Sequence, residues 1–157
     1  MADPQPGAKA EKLPQSILFC CDHNSVRSPM AEGIAKKLYG VSAYLQSAGL
    51  RNDREIDGFS ISVCAEIGVE LSLHRSRSFE EMSEIGDDLS SYDMIVALSP
   101  ASHAAALDLT RGTHTVVEFW PITDPSGAGE TREAKLDAYR QTRGEILGHL
   151  ENRWQAA

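Results

Sequence analysis

The chain has 157 residues, 41% of them hydrophobic and 24% charged, which suits one globular domain with a core of its own. A formal net charge of −8 works against non-specific binding of nucleic acid or an anionic membrane surface, and no apolar run approaches the roughly 18 residues that cross a bilayer. Three cysteines without a C-x-x-C spacing argue against a disulfide scaffold or a structural metal site and for a reducing, cytoplasmic setting.

The opening MADPQPGAKAEKLPQ lacks the apolar core of a secretory signal, and residues 1–14 read as a flexible N-terminal tail before a single domain over 15–157. Ser16 to Cys20 is a short apolar run, the pattern of a buried strand. The period then changes. Met30, Ile34 and Leu38 recur every four residues and Gly40 closes the pattern, which predicts a helix from Pro29 to Tyr39 with Pro29 at its first position and Ser28 as its cap. A second strand is expected over Ala43 to Gln46, followed by a turn at Ser47-Ala48-Gly49. Helical spacing returns over Phe59 to Ile67, closed by Gly68, and over Phe79 to Leu89.

Met94 to Leu98 is the clearest buried strand after the first, and Ser99-Pro100 opens a helix to Leu109. A fourth strand is expected over His114 to Phe119, and Leu136, Tyr139, Ile146, Leu150 and Trp154 mark a last helix. Strands alternating with helices predict an α/β fold: a single-domain, three-layer arrangement with a central four-stranded parallel sheet and helices on both faces. Ligands in such sheets bind beyond the carboxyl ends of the strands, here Cys21 to Ser28, Ser47 to Gly49 and Trp120 to Pro125.

The first of these loops carries the chemistry. A strand end running into a helix start gathers backbone N–H groups that lack intrahelical partners, and the helix dipole adds partial positive charge, so the loop is a cradle for a tetrahedral oxyanion. Arg27 supplies a fork suited to two such oxygens, and the cradle favours a thiolate at its base. Cys21 and Arg27 are spaced C-x5-R, which lets the loop curl around one anion, whereas strand alternation points Cys20 to the opposite face and into the core. Cys64, beside Ile61 and Ile67, also reads as core.

The stretch C-D-H-N-S-V-R-S-P-M-A-E resembles the signature loop of the low-molecular-weight protein tyrosine phosphatases and their arsenate-reductase relatives, and the likeness covers the whole chain after the tail. The resemblance implies that Cys21 is the nucleophile and that Arg27 binds the anion. Asp22, His23, Asn24, Ser25, Val26 and Ser28 would complete the substrate-binding loop, with Ser47 and His74 as its supports. His74-Arg75-Ser76-Arg77 looks like the family's His-x-x-Arg stretch, and Asp124 in Asp124-Pro125 would be the general acid and base. The implied reaction is phosphomonoester hydrolysis through a cysteinyl-phosphate, without metal or cofactor. Expected partners are a phosphorylated protein or small phosphomonoester, with phosphate, sulfate or arsenate as ligand or inhibitor.

The sequence also departs from the family. Ser126 follows Pro125, and Leu50 to Arg54 contains no aromatic residue, so the aromatic walls that usually hold phosphotyrosine are missing. His23 replaces a common glycine, and H-N-S-x-R-S is similar to the arsenate-reductase branch whereas S-P-M-A-E is similar to the phosphatases. An arsenate reductase of this chain would need an external thiol or a glutaredoxin-like partner, because Leu98 to Ser102 holds no resolving cysteine and Val26 occupies the other possible place. A non-catalytic oxyanion-binding module is the third reading, and the intact set of Cys21, Arg27 and Asp124 argues against it.

Overall fold

A computed structural model describes residues 12–154. Residues 1–11 of the expected tail, and the last three of the domain, lie outside the described residues, while Leu13 packs against the core. The elements run β1 (Ser16–Cys21), α1 (Arg27–Tyr39), β2 (Tyr44–Gly49), α2 (Gly58–Ala65), α3 (Phe79–Glu84), a 3-10 turn (Leu89–Ser91), β3 (Met94–Ala97), α4 (Pro100–Leu109), β4 (Val116–Phe119) and α5 (Arg132–Arg153). The four strands are parallel in the order β2-β1-β3-β4. Winding therefore runs outward from β1 to β2 and then reverses to β3, and the loops leaving β1 and β3 part to open a crevice.

Alternation along β1 divides the core. Ile17, Phe19 and Cys21 face α1, α2 and α5, packing with Met30, Ile34, Val63, Tyr139, Ile146 and Trp154. Leu18 and Cys20 face the other way, with Phe79, Met82, Leu89, Ile95 and Ala106. Residues Ile17 to Cys20 expose no surface, and each large apolar side chain buried there contributes about 1.5–3 kcal/mol.

The expected strands and helices are present, with shifted ends. Ser47-Ala48-Gly49 is strand rather than turn, because these residues pair in register with Phe19, Cys20 and Cys21. The ladder to a buried neighbour outweighs the local turn preference of small residues. Phe79–Glu84 is shorter than expected, ending before Gly86, whose φ of 81° takes the chain out of the helix. Ser99 and Pro100 open α4 as read from sequence, with the Ser99 side chain accepting from the Ser102 amide.

Candidate active site

Residues 22–26 turn from β1 into α1, and Asn24 sits in the left-handed region at φ 54°, a conformation that Asn tolerates better than most residues. The loop lies flat on β2. A Cβ built at Gly49 would stand 2.6 Å from the Asn24 nitrogen and 2.8 Å from the His23 carbonyl carbon, so only glycine admits this approach. The amides of Leu50 and Arg51 donate to the carbonyls of Cys21 and Asp22, and that of Asp57 to Ser25.

Ser28 does not cap the helix. α1 begins at Arg27 after Val26, whose side chain makes no capping bond, and Ser28 is already inside the first turn. Its Oγ lies 2.9 Å from Cys21 Sγ and accepts from Asn24 Nδ2 at 2.8 Å. The physical reason is that a capping side chain would occupy the helix amides, whereas here they stay open at the N-terminus, where an anion is favoured.

Asn24 is the hub of the loop. Its fully buried side chain donates to Ser28 Oγ and to Ser47 Oγ at 2.9 Å, and its Oδ1 accepts from the Arg77 amide at 3.0 Å and lies 3.1 Å from His74 Nε2. Ser47 and His74 thus both meet the Asn24 side chain. Burial outweighs the nearby Glu32 carboxylate and holds the His74 pKa below its usual value, so the ring is neutral at pH 7. Three further supports, Glu32, Arg77 and Ser76, have no supporting role in the sequence reading, although Arg77 and Ser76 lie in the His-x-x-Arg stretch. Glu32, only 13% exposed at its side chain, accepts from Ser47 Oγ at 2.5 Å. Arg77 donates through Nε to the Ser47 carbonyl and pairs with Asp87 at 3.1 Å, and Ser76 Oγ donates to the Asn24 carbonyl. Their place in the motif gave no sign of these roles, because the partners lie on other strands and loops.

Arg27 gathers the remaining loops. Its side chain is 9% exposed, with one nitrogen donating to the carbonyls of Leu98 and Ile122 and the other 3.9 Å from Asp22 and 3.8 Å from Asp124. Asp22 is held in turn by Ser99 Oγ at 2.7 Å. The three loops that follow β1, β3 and β4 meet at this guanidinium. Asp124 Oδ1 accepts from both the amide and the hydroxyl of Ser126, which leaves Oδ2 facing Arg27. Burial pushes the Asp124 pKa up, but the Ser126 bonds and the charges of Arg27 and Arg54 outweigh it and hold the carboxyl below its ordinary range.

A small cleft lined by Cys21, His23, Ser25, Val26, Arg27, Arg54, Asp124 and Ser126 opens over the sulfur. Sequence reading missed Arg54 as a wall residue. His23 Nδ1 lies 2.7 Å from Asp53, which fixes the ring at the cleft edge. Cys20 lies on the other face of the sheet, and Cys64 is buried on α2.

The family model described as "Low molecular weight phosphotyrosine protein phosphatase" matches residues 16–151. A glutaredoxin arsenate reductase of Synechocystis is 30% identical over 138 residues, covering 88% of this chain and 95% of its own length. A solved arsenate reductase in a phosphate-binding state aligns at TM-score 0.68 and 26% identity, covering 88% of this chain and 95% of that one. The tyrosine phosphatase amsI of Erwinia amylovora shares the fold at TM-score 0.69 and 21% identity, covering 89% of this chain and 91% of that one.

Proposed function

Because the chain belongs to the low molecular weight phosphotyrosine protein phosphatase family, we propose that it hydrolyses phosphomonoesters through a cysteinyl-phosphate, with Cys21 as nucleophile, Arg27 as anion binder and Asp124 as general acid and base. The observation that carries this reading is the convergence of Cys21 and Arg27, at the two ends of the β1–α1 loop, with Asp124 from the loop after β4 on one cleft. A tetrahedral anion sits in the cradle of loop amides from Asp22 to Ser28, oriented by Arg27. Cys21 Sγ attacks phosphorus as the ester P–O bond breaks, and Asp124 gives its proton to the departing oxygen. Asp124 then takes a proton from water, whose oxygen displaces the sulfur and releases inorganic phosphate.

The depressed pKa of Asp124 bears on this cycle. Free of substrate, the carboxylate faces the Arg27 charge. A dianion placed between them neutralises the guanidinium and repels the carboxylate, which raises the Asp124 pKa and loads the acid form once substrate is bound. In the second step the leaving of the ester group returns the carboxylate to the role of base.

A second reading is favoured by the Synechocystis relative, which is named an arsenate reductase. Cys21 would displace hydroxide from arsenate to form a sulfur–arsenic(V) bond. A thiol attacking that sulfur would form a mixed disulfide, and the bonding electron pair would pass to arsenic and release arsenite. A second thiol would then regenerate Cys21. Both thiols must come from outside the chain, since its other two thiols, Cys20 and Cys64, are buried in the core.

The deciding experiment measures para-nitrophenyl phosphate hydrolysis and thiol-dependent arsenate reduction, with glutathione and glutaredoxin, on the same preparation. Hydrolysis lost in Cys21→Ser is the expected result. Arsenite formation without hydrolysis selects the second reading, and neither activity selects a non-catalytic oxyanion-binding module.

A further inference from the structure

Beside the catalytic cleft lies a separate cavity of about 340 Å³, lined by Asn52, Arg54, Glu55, Ile56, Ser72, His74, Arg75 and Ser76. Arg54 lines both spaces, so the cavity continues the cleft past its wall. The cavity also touches the loop from behind, because Ser76 and His74 bond to Asn24 and the Glu55 carbonyl accepts from Ser25.

Its charge is unusual in a chain of net charge −8. Arg51, Arg77, Arg111, Arg140 and Arg153 each face a carboxylate within 4 Å. The side chains of Arg54 and Arg75 make no hydrogen bond or ion pair with another described residue. Arg54 feels Asp124 only across the cleft. Among the other lining groups, Asn52 donates to Glu81 and Ser72 to Glu70, and Glu55 is the one carboxylate. Two guanidiniums are thus the donors left free in this cavity, whereas Arg27 and Arg143 also face carboxylates and Arg132 lies over the Phe59 ring.

Building on the phosphatase reading above, we propose that this cavity is a second anion subsite and that the substrate is a phosphomonoester bearing a second anionic group. The reacting phosphate occupies the Cys21 loop, and the second phosphate or carboxylate reaches across Arg54 toward Arg75. Two guanidiniums offer planar forks to such a group. The missing aromatic walls fit the same conclusion: His23, Arg54 and Ser126 line the cleft where a stacking ring would be held, and they recognise charge instead of a π-face.

The test is calorimetric titration of the full chain with inorganic phosphate, methylene-bisphosphonate and propylene-bisphosphonate. At least one bisphosphonate is expected to bind about five- to tenfold more tightly than phosphate, an advantage that shrinks in Arg75→Ala and at raised ionic strength. A parallel arm compares kcat/KM for phosphotyrosine peptides flanked by aspartates or by asparagines. An Arg75-dependent preference for aspartate identifies an acidic protein segment as the source, and a preference confined to bisphosphonates identifies a small molecule. If neither pair shows an advantage that Arg75→Ala reduces, the subsite is refuted while phosphate binding still supports the catalytic loop. If inorganic phosphate itself fails to bind, both proposals fall.

Discussion

Cys20 and Cys21 are neighbours in the chain, yet their side chains belong to opposite halves of the core: Cys21 faces the layer of α1, α2 and α5, and Cys20 the layer of α3 and α4. The pleat of β1 does this, since successive side chains point to opposite faces. Only Cys21 stands at the base of the loop, beside Ser28 Oγ.

Alkylation should therefore separate the sulfurs. Burial pushes the Cys20 thiol far up and the Cys64 thiol up to about 12, so neither forms the reactive thiolate near neutrality. Iodoacetamide followed by mass spectrometry is expected to modify Cys21 alone in the native chain, and phosphate to slow that reaction. Cys21→Ser should leave less than about a thousandth of the parent hydrolysis rate. Cys20→Ala should keep the active site while costing about 1–2 kcal/mol of stability. Alkylation at Cys20 in the folded chain would contradict the division.

On the proposed phosphatase reading, with Asp124 as the acid, the pH profile follows from this carboxyl. Ser126 stabilises the carboxylate with two bonds, so Ser126→Ala removes the hydroxyl contribution and raises the Asp124 pKa. A raised pKa keeps the acid protonated to higher pH, and the alkaline limb of kcat/KM is expected to move upward. Asp124→Asn should slow esters of poor leaving groups far more than esters of good ones. A limb that stays in place, or a uniform slowing of all esters, would remove Asp124 as the acid.

Asn24 holds the loop through bonds to Ser28, Ser47, His74 and Arg77. Asn24→Ala leaves several buried groups without partners and puts alanine at a positive φ, so urea unfolding should show a loss of about 3–5 kcal/mol, with weaker phosphate binding. A loss under about 1 kcal/mol would show that the network is redundant.

Gly49 is tested through space rather than hydrogen bonds. Gly49→Ala drives a methyl into the backbone of His23 and Asn24, and backbone cannot rotate aside. Calorimetric phosphate affinity is expected to fall by about tenfold or more and stability by about 2–4 kcal/mol. Gly127→Ala, at a position where nothing lies within 4 Å of the added carbon, serves as the neutral control.

His74 adds a stability signature. Its folded-state pKa is depressed by burial, so the unfolded chain binds the proton more readily, and stability should fall as pH drops below about 6.5 toward the folded pKa. Chemical denaturation at pH 7.5 and 5.5 should show that decline, reduced in His74→Gln. An unchanged decline would assign it to other groups.

The sequence by itself determined the alternating α/β order, the split between Cys20 and Cys21, and the C-x5-R loop, because each depends on local period and spacing that a short stretch contains. Asp124 entered only through the family resemblance, since nothing local ties that residue to the Cys21 loop, and the fold sets it 3.8 Å from Arg27. Tertiary structure alone decided that Ser47 to Gly49 is strand, that Ser28 faces the sulfur instead of capping α1, and that Glu32, Arg77 and Arg54 surround the loop. Those outcomes come from pairing in register with β1 and from the meeting of loops at the carboxyl edge of the sheet. Contacts between distant segments set them, and they leave no periodic trace in the chain.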